Sequence, residues 1–255
     1  MRTAPSESAP RTAPEGGLLA GIGLSQRYGD LQVLDGVDFH IGPAEAVGIV
    51  GPNGAGKTTL LNVLAGSVRP SAGTISFRGL DITRLRPELR CRLGIGRAFQ
   101  IPRPFGGMTV LENVLVGAAH GARLARAAAS GRAIDVLEVC GLIDVANRRA
   151  DSLGLLHRKR LELARALATD PEVLLLDEIG AGLTDAEAAE LVATIHQLRG
   201  RGTSIVWIEH IVHVLVQVVD RLICMDGGQV IADGVPAAVL ADAVVIDAYL
   251  GRAGS

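Results

Sequence analysis

The sequence predicts an α/β fold in which a parallel sheet is covered by helices on both faces and interrupted by a helical insert. Three observations carry that expectation. The runs "EAVGIVG", "EVLLLDE" and "TSIVWIEH" are apolar along most of their length instead of alternating, the pattern of strands buried on both faces. Helices with recognisable start and stop signals lie between them, and strand–helix–strand order builds parallel sheets. Between about Ile101 and Ala168 the texture changes to Ala, Arg and Leu with a helical apolar period, as in "GARLARAAASGRAIDVLEVCGLIDVANRRA".

Taken in order, "MRTAPSESAPRTAPEGG" lacks the apolar residues a core needs and is expected to be a disordered tail over residues 1–17. It also lacks the apolar stretch of a signal peptide. Glu45 to Gly51 reads as a buried strand entering a glycine-rich turn, and "KTTLLNVLAG" as a helix from Lys57 stopped by Gly66. "GTISFRGLDI" reads as two short strands about Arg78-Gly79. After the insert, "EVLLLDE" is a strand. "TDAEAAELVATIHQLRGRG" is a helix with a Thr184/Glu187 capping box and an end at Gly200. "TSIVWIEH" is a strand reaching His210, and "LICMDGGQVIADG" a hairpin about Asp226-Gly227-Gly228. One domain over 18–251 is expected, with its core in 18–100 and 169–251 and the helical subdomain at about 101–168.

Composition narrows the function. A net charge of -2 and 3% aromatic residues give neither the basic surface nor the stacking platform that nucleic acid requires. No segment holds the roughly 18 uninterrupted apolar residues of a spanning helix. Cys91, Cys140 and Cys224 are scattered without metal-site spacing and read as reduced thiols. His210 and His213 share a helical spacing but lack further ligands, so they do not read as a metal site.

"GPNGAGKT", Gly51 to Thr58, fits G-x-x-x-x-G-K-[ST] at every fixed position. Gly51, Gly54 and Gly56 let the backbone turn its N–H groups inward, with Pro52, Asn53 and Ala55 completing the loop and Thr59 following it. The helix start behind it adds partial positive charge. Lys57 reaches the β- and γ-phosphates of a nucleotide and Thr58 offers its hydroxyl to Mg²⁺. The context agrees, because a strand precedes the motif and a helix follows. The chain has only two lysines, Lys57 and Lys159, and one of them falls on the required position. These features predict a P-loop NTPase core. Asp177, emerging from the strand "VLLLD", is the candidate second Mg²⁺ ligand. Glu178 beside it is the candidate general base for the attacking water. His210 can meet the γ-phosphate.

These motifs, in this order and spacing, resemble the ATP-binding cassette (ABC) family of transport ATPases over about Leu18 to Gly251. The resemblance implies an antiparallel N-terminal β subdomain beside the P-loop core and the inserted helical subdomain. It implies that Tyr28 stacks on adenine and that Gln100, in "GRAFQ", links Mg²⁺ to a membrane partner. With Lys57, Glu178 and His210, Gln100 would then complete the catalytic set. "GIGRAFQIPRPFGGMTVLENVLVGA" and "GQVIADGVPAAVLADAVVIDAYLG" look more narrowly like the ATPase subunits of branched-chain amino acid importers. That likeness implies Mg-ATP hydrolysis on the cytoplasmic face of a bacterial membrane. The implied partners are permease subunits, a second ATPase subunit in a heterodimer or homodimer, and indirectly an extracytoplasmic solute-binding protein. The loop Ile101 to Met108 would meet the permease, with Phe105, Pro102 and Pro104 together as a rigid apolar knob or, alternatively, as part of an ordinary buried loop.

One motif departs from the family. Where a partner's ATP is held by a Leu-Ser-Gly-Gly-Gln signature, this chain read without a gap has Leu153, Gly154, Leu155, Leu156 and His157; a two-residue insertion would instead put Gly154 on the second glycine at the cost of shifting the helix. The serine hydroxyl is lost at Gly154, and Leu156 places a side chain where a glycine would allow close approach. The following "HRKR" reads as a solvated basic face or as a substitute phosphate contact. Ile179 and Thr184 also replace the family's usual Pro and its loop Asp or Asn. Alternatives stay open: a nucleotide-gated subunit with little turnover, an importer of urea or short amides, or a soluble ATPase outside transport.

Overall fold

The computed structural model describes residues 17–250; the rest of the predicted tail, residues 1–16, lies outside them. The chain enters through an antiparallel hairpin of β1 (Leu19–Tyr28) and β2 (Leu31–Ile41), runs through β3 (Ala46–Val50), and crosses the glycine-rich turn into α1 (Lys57–Ala65). β4 (Ala72–Phe77), β5 (Leu80–Asp81), α2 (Pro87–Leu93) and β6 (Ile95–Ala98) follow, then the helices α3 (Val110–Val116), α4 (Arg126–Val139) and α5 (Leu155–Leu167). The remainder alternates: β7 (Val173–Asp177), α6 (Asp185–Gly200), β8 (Ser204–Ile208), α7 (Val212–Leu215), β9 (Arg221–Asp226), β10 (Gln229–Gly234), α8 (Pro236–Leu240) and α9 (Ala243–Leu250).

Two sheets form. One is antiparallel in the order β2-β1-β4-β5 and the other runs β10-β9-β3-β8-β7-β6. Within the second, β9, β3, β8, β7 and β6 pair in parallel and only β10 pairs antiparallel, as an edge. Its central strands are buried throughout, and their side chains divide between two cores. Leu174, Leu176, Ile205 and Trp207 pack with the helices of the 110–168 region and α6. Val173, Leu175, Val206 and Ile208 pack with α1 and the antiparallel sheet. This two-sided burial is the reason those strands do not alternate in sequence.

The turns form where the residues require them. Arg78 and Gly79 take φ 51° and 75°, and Gly227 and Gly228 take 53° and 82°, so each pair closes its hairpin. Gly66 ends α1 at φ 81°. Behind it the buried Arg90 donates to the carbonyls of Val63 and Leu64, both at 2.8 Å, and so satisfies the acceptors at the end of α1. Two boundaries differ from the sequence expectation. α6 includes Gly200, and the chain reverses at Gly202, which takes the left-handed φ of 87°. β8 stops at Ile208, leaving Glu209 and His210 beyond the sheet's edge.

Candidate active site

Parallel strands deliver their C-terminal ends to one edge of a sheet, and that edge is where α/β folds build sites. Here β3 ends in the P-loop, β8 in Glu209 and His210, β7 in Asp177 and Glu178, and β6 in Phe99 and Gln100. Because β3, β8, β7 and β6 are successive neighbours, residues spread over more than 150 positions of sequence meet there.

The P-loop needs its glycines for space as well as for angle. A Cβ on Gly51 would stand 2.1 Å from the Met225 carbonyl oxygen, and one on Gly56 2.7 Å from that of Val33. Gly56 also caps α1 with φ 98° and supplies no side-chain acceptor, so the helix start carries uncompensated N–H groups and their positive potential. Lys57 Nζ donates to the Gly51 and Pro52 carbonyls at 2.6 and 2.9 Å. Burial lowers its pKa, against the opposing pull of Glu178, Cys224 and Asp177. Asn53 to Thr59, with Val33 and Glu178, line an open pocket of about 190 Å³.

Glu178 is the centre of the polar array. Its Oε2 accepts from Gln100 Nε2 at 2.5 Å and its Oε1 lies 2.7 Å from His210 Nε2. Its backbone has φ 46°, a conformation costing about 1–3 kcal/mol in a non-glycine residue. The Glu178 N–H donates to the Ile208 carbonyl at 2.9 Å, which holds that turn against β8. Asp177 is almost fully buried. Its Oδ2 accepts from Arg97 at 2.8 Å while its Oδ1 has no hydrogen-bond partner. Thr58, Gln100 and Asp177 line one cleft of about 430 Å³. A buried carboxylate oxygen without a donor, sharing a cleft with a hydroxyl and an amide, is an oxygen donor set suited to Mg²⁺.

Three residues not assigned from sequence also stand here. Arg97 bridges Asp177 and the Asn62 side chain, at 2.8 and 2.7 Å. Glu209 is buried, accepts the Gly180 N–H at 3.1 Å, and has its carboxyl pKa raised by burial. Lys159 turns inward to the Gln100 carbonyl at 3.4 Å. Tyr28, by contrast, sits half exposed at the end of β1 and is not among the residues lining either cleft.

The irregular signature lies at the start of α5. Leu153 is buried, Gly154 is the exposed N-cap with no side-chain hydrogen bond, Leu155 is exposed, and Leu156 and His157 are half-buried. A Cβ on Gly154 would meet nothing within 4 Å, so a side chain such as serine would fit at this position. The "HRKR" run divides: Arg158 donates to the Asp151 carbonyl at 3.0 Å, Arg160 pairs with Glu190, and Lys159 is buried, so the run is not one solvated face. Ile179 is buried, and Thr184 and Glu187 form the capping box of α6. In the Ile101–Met108 loop, Ile101, Phe105 and Met108 are exposed, while Asn113 grips the Phe105 backbone from both sides at 2.8 and 3.1 Å.

A parallel sheet that gathers a phosphate loop, a paired Asp-Glu and a strand-end His at one edge defines a P-loop ATPase cassette. The ABC transporter family pattern matches residues 34–181, and a pattern for the branched-chain amino acid ATP-binding cassette transporter matches 229–255. The chain belongs to the ABC transporter family. It is 39% identical over 251 residues to the high-affinity branched-chain amino acid transport ATP-binding protein LivG of Escherichia coli (strain K12), covering 92% of this chain and 98% of that protein. It is 36% identical over 252 residues to the corresponding BraF protein of Pseudomonas aeruginosa, with 92% and 98% covered. Among solved structures, a nucleotide-free ATP-binding cassette from an ABC transporter superposes with a TM-score of 0.83 at 30% identity, covering 91% of this chain and 98% of that one. An ATP-binding cassette in its ADP conformation also gives 0.83, at 31% identity, with 92% and 99% covered. No helix among the described residues is long and apolar enough to cross a membrane.

Proposed function

We propose that this chain is the Mg-ATP-hydrolysing subunit of an importer of branched-chain or related amino acids. It would act on the cytoplasmic face of a bacterial membrane with permease subunits, a second ATPase subunit and, indirectly, an extracytoplasmic solute-binding protein. The observation that carries hydrolysis is Glu178, a buried carboxylate clasped between Gln100 and His210 beside the phosphate loop. The solute class rests on the relatives' printed names and on the match of the C-terminal segment.

In this reading Gly51 to Thr59 hold the phosphates, with Lys57 leaving its own loop carbonyls for the β- and γ-oxygens. A bound Mg²⁺ supplies charge neutralisation on those oxygens, and Thr58, Asp177 and Gln100 are the residues that would hold it. Glu178 orients the attacking water and takes its proton, and His210 fixes the carboxylate and reaches toward the γ-phosphate. Tyr28 offers its ring to the base from the end of β1. Ile101, Phe105 and Met108 form the apolar surface for the permease, which suits their exposure on a loop pinned by Asn113.

The signature residues Leu153 to His157 serve the other subunit's ATP. In a heterodimer, this chain's own site would be completed by the partner's signature and would turn over quickly, while the partner's site would face Gly154 and Leu156 and turn over slowly. Vesicles carrying the whole transporter should take up labelled leucine or valine only with internal Mg-ATP. Turnover of ATP without uptake of any branched-chain amino acid would overturn the solute assignment.

A further inference from the structure

Of the 25 Lys and Arg residues only two are lysines, and both are buried, Lys57 at 6% exposure and Lys159 at 4%. Lys57 belongs to the phosphate loop. Lys159 has no part in the hydrolysis described above, yet it lies on the inward face of α5 in the midst of the site. Its ammonium donates to the Gln100 carbonyl at 3.4 Å, and the carboxylates of Glu209 and Glu178 are the charges that attract it.

The same face of α5 grips the loop further along, at the three-residue spacing that aligns side chains on a helix. Glu162 is buried and accepts the Arg103 N–H at 3.4 Å and Arg165 Nη1 at 3.0 Å. Arg165 also donates to the Arg103 carbonyl at 2.9 Å and lies 4.9 Å over the Phe105 ring. The backbone of the 100–103 loop is thus held by side chains of the helix that begins at Gly154. The loop in turn delivers the Gln100 amide to Glu178 at 2.5 Å.

We infer that Lys159 is a positioning residue for hydrolysis at this chain's own site: through the Gln100 carbonyl it seats the Gln100 amide against Glu178. The chain Lys159, Gln100, Glu178 also joins the helix offered to the partner's nucleotide to the carboxylate that acts on this chain's own. The inference rests on the proposed ATPase reading.

The test measures steady-state ATP turnover by the assembled transporter alongside Mg-ATP affinity from a fluorescent nucleotide. Lys159→Met should lower kcat about tenfold or more, as misplacement of a catalytic group does, with Kd unchanged within about twofold. Lys159→Arg, which keeps a charged N–H donor for the Gln100 carbonyl, should recover turnover to within about threefold of wild type. On a Gln100→Ala background, Lys159→Met should add less than about a twofold loss, because residues acting through one contact are not additive. Lys159→Gln replaces the Met variant if that chain does not fold. Wild-type turnover in the uncharged variant, equal losses in the Met and Arg variants, or full additivity with Gln100→Ala would each overturn the role. A wild-type transporter without Mg-ATP turnover would instead overturn the ATPase reading itself.

Discussion

Two helix starts in this chain face nucleotide in the proposed assembly, and they are built from opposite materials. α1 begins at Gly56 with a left-handed φ of 98°, behind a loop of glycines and beside a lysine, two carboxylates and a histidine. α5 begins at Gly154 with an extended φ of -69°, followed by Leu155 and Leu156. Both starts lack a side-chain cap, so both present N–H groups and the positive end of a helix dipole. Only the first has groups that distinguish a triphosphate from any other anion. A helix start is generic; the side chains around it decide whether the site is chemical or merely attractive.

The sharpest way to break this comparison is to disable one site at a time. Glu178→Gln should lower the transporter's ATP turnover roughly hundredfold, the scale of a lost general base, with nucleotide binding retained. If the matching substitution in the partner subunit is the more damaging one, the ranking of the two sites is reversed. Repairing the weaker face sharpens it: Gly154→Ser with Leu156→Gly should raise turnover at the partner's site about tenfold, matching the ~1.5 kcal/mol of a hydrogen bond to a charged group. An unchanged rate in single-turnover measurements would show that this helix start does not limit the second site.

The smallest effect concerns stability around α5. Burial raises the Glu162 pKa above its ordinary 4.5. The folded chain therefore keeps that proton to higher pH than the unfolded one. The stability this contributes is fully present below the ordinary value and is lost as pH rises through the raised one. Glu162→Gln does not titrate, so denaturant unfolding across that window should show the variant gaining on wild type as pH increases. A constant difference would mean that Arg165 and the loop N–H groups fully offset the burial.

The parts of the site that were legible in sequence are those where one strand hands directly to a turn. Lys57 and Thr58 follow β3, and Asp177 and Glu178 end β7, so residue type and local pattern coincide. Glu209 escaped because it interrupts an apolar tract, and an interruption says nothing of what the carboxylate will hold; only the fold brings it to Gly180. Arg97 carried no signal beyond its place on β6. Lys159 did carry one: a chain that otherwise writes Arg spends its second lysine there. The sequence puts His210 at the end of its strand, but β8 stops two residues earlier, at Ile208. The helix end expected at Gly200 falls later because glycine ends a helix only when it takes the left-handed conformation, and Gly202 is the residue that does. Nothing in one chain can spell the signature that a second chain must supply.

The scarcity of lysine has a practical reach. Among the described residues the surface offers no exposed ε-amine, since the only two stand at 6% and 4% exposure beside the same carboxylate. Acylating reagents, and enzymes that modify lysine, therefore meet side-chain amines only at these two buried positions. In the proposed reading, protection of Lys57 from labelling is a footprint of nucleotide occupancy, with Lys159 as the internal reference.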